Sequence, residues 1–226
     1  MFALSSVVPW GRSFDEYVRM FVLTEADLAS RILGCGDGPA SFNAEATRRG
    51  ATVVSCDPIY QFDAGQIRQR IDETVTEVLE QARRNAHEFV WSDAIPSVEA
   101  LGQLRLSAMR AFLDDYDHGR AEGRYLDAGL PSLPFADSAF DLALCSHFLF
   151  LYSQQHDEAF HVASMRELCR VAREVRVFPL LALGALTSPH VDAVREAMTK
   201  DGLVVTVERV PYEFQRGGNE MLRVTV

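Results

Sequence analysis

Hydrophobic positions along the chain change period several times, and each change marks an element. Over residues 13–23, Phe14, Tyr17, Val18 and Phe21 recur at helical spacing. Ile32 and Leu33 form a short apolar run that stops at three alternating glycines, Gly34, Gly36 and Gly38. A helical stretch over residues 40–49 follows, closed by Gly50, and a β-branched run over residues 51–55 then leads to Asp57. Two long amphipathic helices come next. The first carries Ile67, Ile71, Val75, Val78, Ala82 and Phe89 on one face, and the second Val98, Leu101, Leu104, Met109, Phe112 and Tyr116. Asp114, Asp115 and Asp117 near the end of the second helix oppose its dipole and predict a frayed terminus. Trp91, between the helices, reads as a packing anchor. One crossover helix would suffice before the next strand, so at least one of the two is additional: a substrate cap, a dimer surface or a buttress.

The second half alternates in the same way. Strands are expected over residues 124–126 and 139–150, and a helix over 157–171 with Phe160, Val162, Met165, Leu168 and Val171 facing inward. A buried strand over 174–182 is interrupted late by Pro179, which lacks a ladder donor. Ser188, with Pro189 after it, reads as the cap of another helix that Gly202 ends. Strands over 203–210 and 221–226 close the chain. If the first of these runs parallel to the others, its following loop reaches the ligand side, where Tyr212, Arg216 and Asn219 line a rim or finish a surface turn. Strands alternating with helices predict a doubly wound α/β domain.

The order strand, glycine turn, helix, strand, acid over residues 31–57 is the first half of a nucleotide-binding sheet. Glycines let backbone lie against a ligand, and the acid about 20 residues on can accept hydrogen bonds from a ribose. A dinucleotide fingerprint wants a third glycine where this chain has Pro39; the pattern here is Gly-x-Gly-x-Gly. The stretch resembles the first motif of class I S-adenosylmethionine-dependent methyltransferases. A second stretch, residues 126–152, resembles the segment joining their third and fourth strands: Asp127-Ala128, then Leu133-Pro134-Phe135 and Phe140-Asp141. The two motifs, with the elements between them, cover most of the chain.

That resemblance implies one domain over residues 1–226. Its sheet would be mostly parallel and seven-stranded, ending in an antiparallel hairpin. A helical lid would occupy residues 1–30, and a helical insertion after the second strand residues 61–122. It implies that Gly34, Cys35, Gly36 and Gly38 line S-adenosylmethionine and that Asp57 grips its ribose. Pro58 follows, Ile59 or Tyr60 would press on the adenine, and Asp127 or Ala128 would reach the base. Cys145, Ser146 and His147 border the transfer site, with His147 the candidate general base or else a pocket-shaping ring. Trp10, Arg12 and Tyr17 are candidates to cover the site, with Arg12 meeting the cofactor carboxylate; the alternative is that the two aromatics dock on the sheet and Arg12 stands in solvent. The family's acid two residues before the first glycine is Ile32 here, so the cofactor's amino group must find another partner.

Composition narrows the partners. Thirty-two acidic against 22 basic residues give a net charge of −10, unsuited to tracking a phosphate backbone. The Asn/Asp-Pro-Pro-Tyr string of amino-directed nucleic-acid methyltransferases is absent from the fourth strand, so no DNA substrate is expected. Cys35, Cys56, Cys145 and Cys169 show no Cys-x-x-Cys pairing and read as reduced thiols of a cytoplasmic protein without a metal. Neither a signal-peptide pattern nor a membrane-length apolar run is evident, so no membrane partner is expected. The sequence supports methyl transfer to a small-molecule acceptor. The rivals are a non-catalytic protein that binds S-adenosylmethionine or S-adenosylhomocysteine, and a protein or RNA methyltransferase. Oligomeric state is open, a homodimer through the insertion being one arrangement.

Overall fold

The computed structural model describes residues 8–226; the expected lid over residues 1–30 therefore lies partly outside the described residues. Among those described, seven strands form one sheet in the order β3-β2-β1-β4-β5-β7-β6. They are β1 (Arg31–Cys35), β2 (Thr52–Cys56), β3 (Tyr125–Leu126), β4 (Phe140–Ser146), β5 (Ala172–Phe178), β6 (Val204–Arg209) and β7 (Glu220–Thr225). β1 through β5 are parallel, whereas β7 runs antiparallel to both β5 and β6. This is the arrangement the resemblance implies.

Alternation along β1 splits the core between two faces. Ile32 packs on one side with α1 (Phe14–Phe21), α3 (Phe42–Arg48) and α5 (Val98–Ala121); Leu33 packs on the other with α6 (Glu158–Val171) and α7 (Val191–Lys200). Both faces are covered, which is why strands such as Leu142–Cys145 read as continuous apolar runs. The short α2 (Glu25–Leu28) joins α1 to the sheet.

Local chemistry sets several boundaries. Ser13 caps α1 through a reciprocal capping box with Glu16, Asp63 does the same with Gln66 for α4 (Ala64–Arg84), and Asp157 caps α6. β4 stops at Ser146, short of the expected residue 150, because His147 adopts a φ of 52°. β5 stops at Phe178 because Pro179 cannot continue the ladder. Two expectations are corrected. Ser188 is not the N-cap of α7; His190 is, and the buried Ser188 hydroxyl meets Ser153 and accepts from the His190 N–H. Nor does α5 fray at its acidic run. It continues to Ala121 because Arg124, beyond the helix, pairs bidentately with Asp115 at 2.8 and 2.9 Å, and Tyr125 donates to the same carboxylate.

α5 packs on α3 and β3 and is the crossover to the third strand, which makes α4 the additional helix. Between α4 and α5 lies an aromatic cluster of Tyr60, Phe112, Tyr116 and Tyr125. Trp91 stands edge-on to Phe89 and Phe214, as an anchor should. The insertion is fastened to the rest by a fully buried ion pair. Arg105 of α5 grips both carboxylate oxygens of Glu16 on α1, one at 2.7 Å, and Tyr212 from the β6–β7 loop donates to the same carboxylate at 2.7 Å. Arg105 overrides the desolvation of Glu16 and holds its carboxyl well below the ordinary range.

Removing one partner would strand a buried charge. Arg105→Ala is expected to cost about 3–5 kcal/mol in urea unfolding. The double variant Arg105→Met with Glu16→Gln, which keeps an acceptor for Tyr212, should recover most of the loss.

Candidate active site

A cavity of about 560 Å³ opens beyond the carboxyl ends of β1, β2 and β4. Ligands of open α/β sheets sit at this place, and the volume suits a nucleoside-sized molecule with room beside it. Its floor is the turn after β1. Gly36, at a φ of 70°, donates its N–H to Cys56 O at 2.9 Å, and Gly38 follows at 53°. A Cβ on Gly36 would fall 2.8 Å from the ring of Phe148, so glycine is required there for space as well as for backbone angle.

Asp57 ends β2 with its carboxylate turned toward that turn. Gly38 N–H donates to Oδ2 and Ile59 N–H to Oδ1, both at 2.8 Å. Burial pushes its carboxyl upward in pKa against the pull of these two donors, with Asp127 adding to the rise. The two donors aim the group while leaving lone pairs on each oxygen for a ligand. Tyr60 lies beneath, buried in the aromatic cluster, with its hydroxyl donating to Gly38 O at 2.8 Å.

Cys35, Gly36, Gly38, Asp57, Pro58, Ile59, Ser146, His147 and Arg12 all line the cavity, together with Trp10 and Tyr17. The other named residues lie off the wall. Gly34 faces the chain's own Asp37: a Cβ there would sit 1.8 Å from Asp37 Oδ2. Asp127 is exposed beyond β3 and Ala128 packs into the core beside it, so Gly129 and Leu130 take the wall from that loop. Cys145 points into the core under α6. In the β6–β7 loop, Phe214 and Gln215 reach the cavity instead of Tyr212, Arg216 or Asn219. Tyr212 is committed to Glu16, Arg216 to the carbonyls of His87, Glu88 and Phe89, and Asn219 to Glu213. α4 contributes Arg70, Val78 and Ala82 to the wall, so the additional helix roofs the site.

Two groups stand out electrostatically. Arg12 is nine-tenths buried; its Nη1 donates to Trp10 O at 2.8 Å, while its Nε has no partner. Burial, then the nearby Arg105, lowers its pKa to about 10, and it remains a cation at neutral pH. His147 stacks edge-on against Phe178, donates its backbone N–H to Phe178 O at 2.7 Å and places Nδ1 2.9 Å from Ser146 Oγ. Desolvation, then Arg12 and Arg105, pushes its pKa well below the ordinary value, so the ring is neutral at pH 7. Its left-handed backbone is uncommon for a residue with a side chain and typical of functional sites.

Asp37 was not singled out by its position in the sequence. Its carboxylate folds back under Gly34, where Tyr17 OH donates to Oδ1 at 2.8 Å and Ser55 OH to Oδ2 at 2.7 Å. Asn43 in turn donates to Ser55 Oγ at 3.1 Å. The signal was an acid inside the glycine turn of a chain that has Ile32 where an acid is usual; what the side chain does depends on residues from three elements.

Comparison with known proteins adds a relative. The chain is 32% identical over 221 residues to the uncharacterized protein MJ0045 of Methanocaldococcus jannaschii, covering 97% of this chain and 96% of that one. The chain belongs to the MJ0045 family. No family model matches it. Among solved structures, this MJ0045-family protein is similar to the magnesium protoporphyrin IX methyltransferase of Synechocystis PCC 6803 with bound S-adenosylhomocysteine. The TM-score is 0.49 and the identity 14%, over 94% of this chain and 80% of that one. It is also similar to an S-adenosylmethionine-dependent methyltransferase of Thermotoga maritima, at TM-score 0.44 and 12% identity over 94% and 89% of the two chains. Its own sheet, mostly parallel with β7 antiparallel between β5 and β6, is the seven-stranded arrangement expected from the resemblance.

The burial of Asp37 has a measurable consequence. Desolvation raises its pKa from 3.8 to about 6, with Asp57 adding to the rise against the two hydroxyl donors. The unfolded chain therefore releases the proton first as pH rises, and the stability present below pH 4 is lost through pH 6. Asp37→Asn mimics the protonated acid and is expected to stabilise the protein by on the order of 2–3 kcal/mol at pH 7.5. Urea unfolding at pH 7.5 and at pH 4 checks this: the gain should vanish at the lower pH.

Proposed function

We propose that the cavity binds S-adenosylmethionine and that the protein transfers its methyl group to a small-molecule acceptor. The observation that carries this reading is the Asp57 carboxylate, aimed by two backbone N–H groups at the point where β1 and β2 end beside a glycine turn. A carboxylate so placed can accept both hydroxyls of a ribose. Ile59 and Leu130 offer apolar surface for an adenine, and the Arg12 guanidinium on the same wall suits the carboxylate of an amino-acid tail.

The bound cofactor supplies a methyl carbon on a sulfonium, open to in-line displacement with the C–S electron pair returning to sulfur. The residues have to orient an acceptor and take its proton. In the tautomer whose Nδ1–H donates to Ser146 Oγ, Nε2 of His147 is the lone-pair nitrogen, and the lowered pKa keeps that lone pair free at neutral pH. Phe148, Tyr152 and Phe160 give an aromatic wall, and α4 overhead limits entry by water. A roofed cavity favours a small acceptor over a nucleic-acid strand, as does the net charge of −10. The four cysteines are free and buried, which fits a reducing cytoplasm, and no described helix is long and apolar enough to cross a membrane.

Two measurements test the reading. Asp57→Ala should lose on the order of 2–4 kcal/mol of S-adenosylmethionine affinity by calorimetry, two charge-assisted bonds being removed. Incubation with methyl-labelled cofactor and a fractionated cell extract should label a low-mass compound. On that acceptor, His147→Ala should lower turnover by about 10²–10⁴ with cofactor affinity unchanged. Binding without label transfer would instead mark a sensor of the cofactor.

A further inference from the structure

The cavity wall carries one acid, Asp37, that no described cation touches. Tyr17 from α1, Cys35 from β1, Ser55 and Asp57 from β2, and Cys145 from β4 surround the Asp37 carboxylate, with Tyr60 close by. None of them carries positive charge, and no described Lys, Arg or His lies within ion-pair distance of it. Among the described residues, two hydroxyl hydrogens compensate a group that has four lone-pair sites. Gly34 is what admits the carboxylate, since any side chain there would occupy its place. A buried, aimed, uncompensated carboxylate is expensive unless something arrives to neutralise it.

Resting on the proposed binding of S-adenosylmethionine, we propose that Asp37 is the anchor for the α-ammonium group of the cofactor's amino-acid tail. It stands in for the acid that is usual two residues before Gly34, where this chain has Ile32 near the start of β1. Ile32 is fully buried in the core between α1 and α3, where a carboxylate could not serve a ligand. Asp37 reaches the cavity wall from inside the glycine turn, between Gly36 and Gly38. The Arg12 guanidinium, on the same cavity wall, matches the carboxylate of the same tail, so the two groups together fit a zwitterion. Tyr17 and Ser55 position Asp37.

The test uses the whole chain and three probes: S-adenosylmethionine, S-adenosylhomocysteine and 5′-methylthioadenosine, which keeps the nucleoside but has no amino-acid tail. By calorimetry, Asp37→Asn should weaken the first two by about tenfold or more and leave methylthioadenosine within about twofold. In the wild type, affinity for the first two should rise with pH through about 6, and Asp37→Asn should flatten that rise. Any slope contributed by Asp57 would appear with methylthioadenosine as well, which serves as the reference. Equal loss for all three probes, loss for S-adenosylmethionine alone, or an unchanged pH slope would overturn the assignment. A wild type that binds none of the three overturns the cofactor reading itself. Wild-type binding with an indifferent Asp37→Asn overturns only the role of Asp37.

Discussion

The Glu16 carboxylate is the point at which three separate parts of this chain meet. Arg105 arrives from the crossover helix, Tyr212 from the loop before the last strand, and Glu16 itself from the first helix. None of these segments belongs to the minimal sheet, yet together they enclose its ligand side. Burying an ion pair is not a cheap source of stability, and an apolar substitute of similar volume could do as well. What the pair adds is registry. Only one placement of α1, α5 and the 210–219 loop satisfies a bidentate guanidinium and a phenol on one carboxylate at once. Arg105 of the clamp, with the neighbouring Arg12 and against the opposing pull of Glu16, also adds to the desolvation that keeps the His147 ring neutral.

Around that clamp the cavity is built from elements that could not form it alone. The turn after β1 supplies backbone, β2 supplies Asp57 and β4 ends in His147. α4 is held over them by α5 and by the aromatic cluster of Tyr60, Phe112, Tyr116 and Tyr125. The excursion between the second and third strands is thus both crossover and roof. That division explains why its two helices differ: α5 buries ten residues along its length, whereas α4 buries five and shows the rest to solvent or to the cavity.

Much of this was legible in the sequence because it is local. The glycine turn, the acid after β2, the helices over residues 13–23 and 157–171 and the closing pair of strands each depend on a few neighbouring residues. What could not be read depends on distant partners. The acidic end of α5 looked unstable because Arg124, its counter-ion, lies beyond the helix and folds back onto it. Ser188 looked like a cap because its burial against Ser153 is set by another loop. Tyr212 looked like a rim residue, yet Glu16 draws it inward and leaves Phe214 and Gln215 at the rim. Asp37 was hidden for the same reason: its role needs Tyr17, Ser55 and the missing side chain of Gly34.

Two carboxylates, Asp37 and Asp57, face one enclosed space, and this sets what the space will refuse. Adenosine compounds in a cell are mostly phosphorylated, and a dinucleotide or a nucleotide triphosphate brings its negative charge to just this kind of turn. Each phosphate held about 5 Å from one of these acids would meet a repulsion of about 3 kcal/mol at an effective dielectric near 20. At Asp37 the glycine turn therefore sets a carboxylate, as well as bare peptide, against whatever enters, and a phosphate placed there would be opposed by charge.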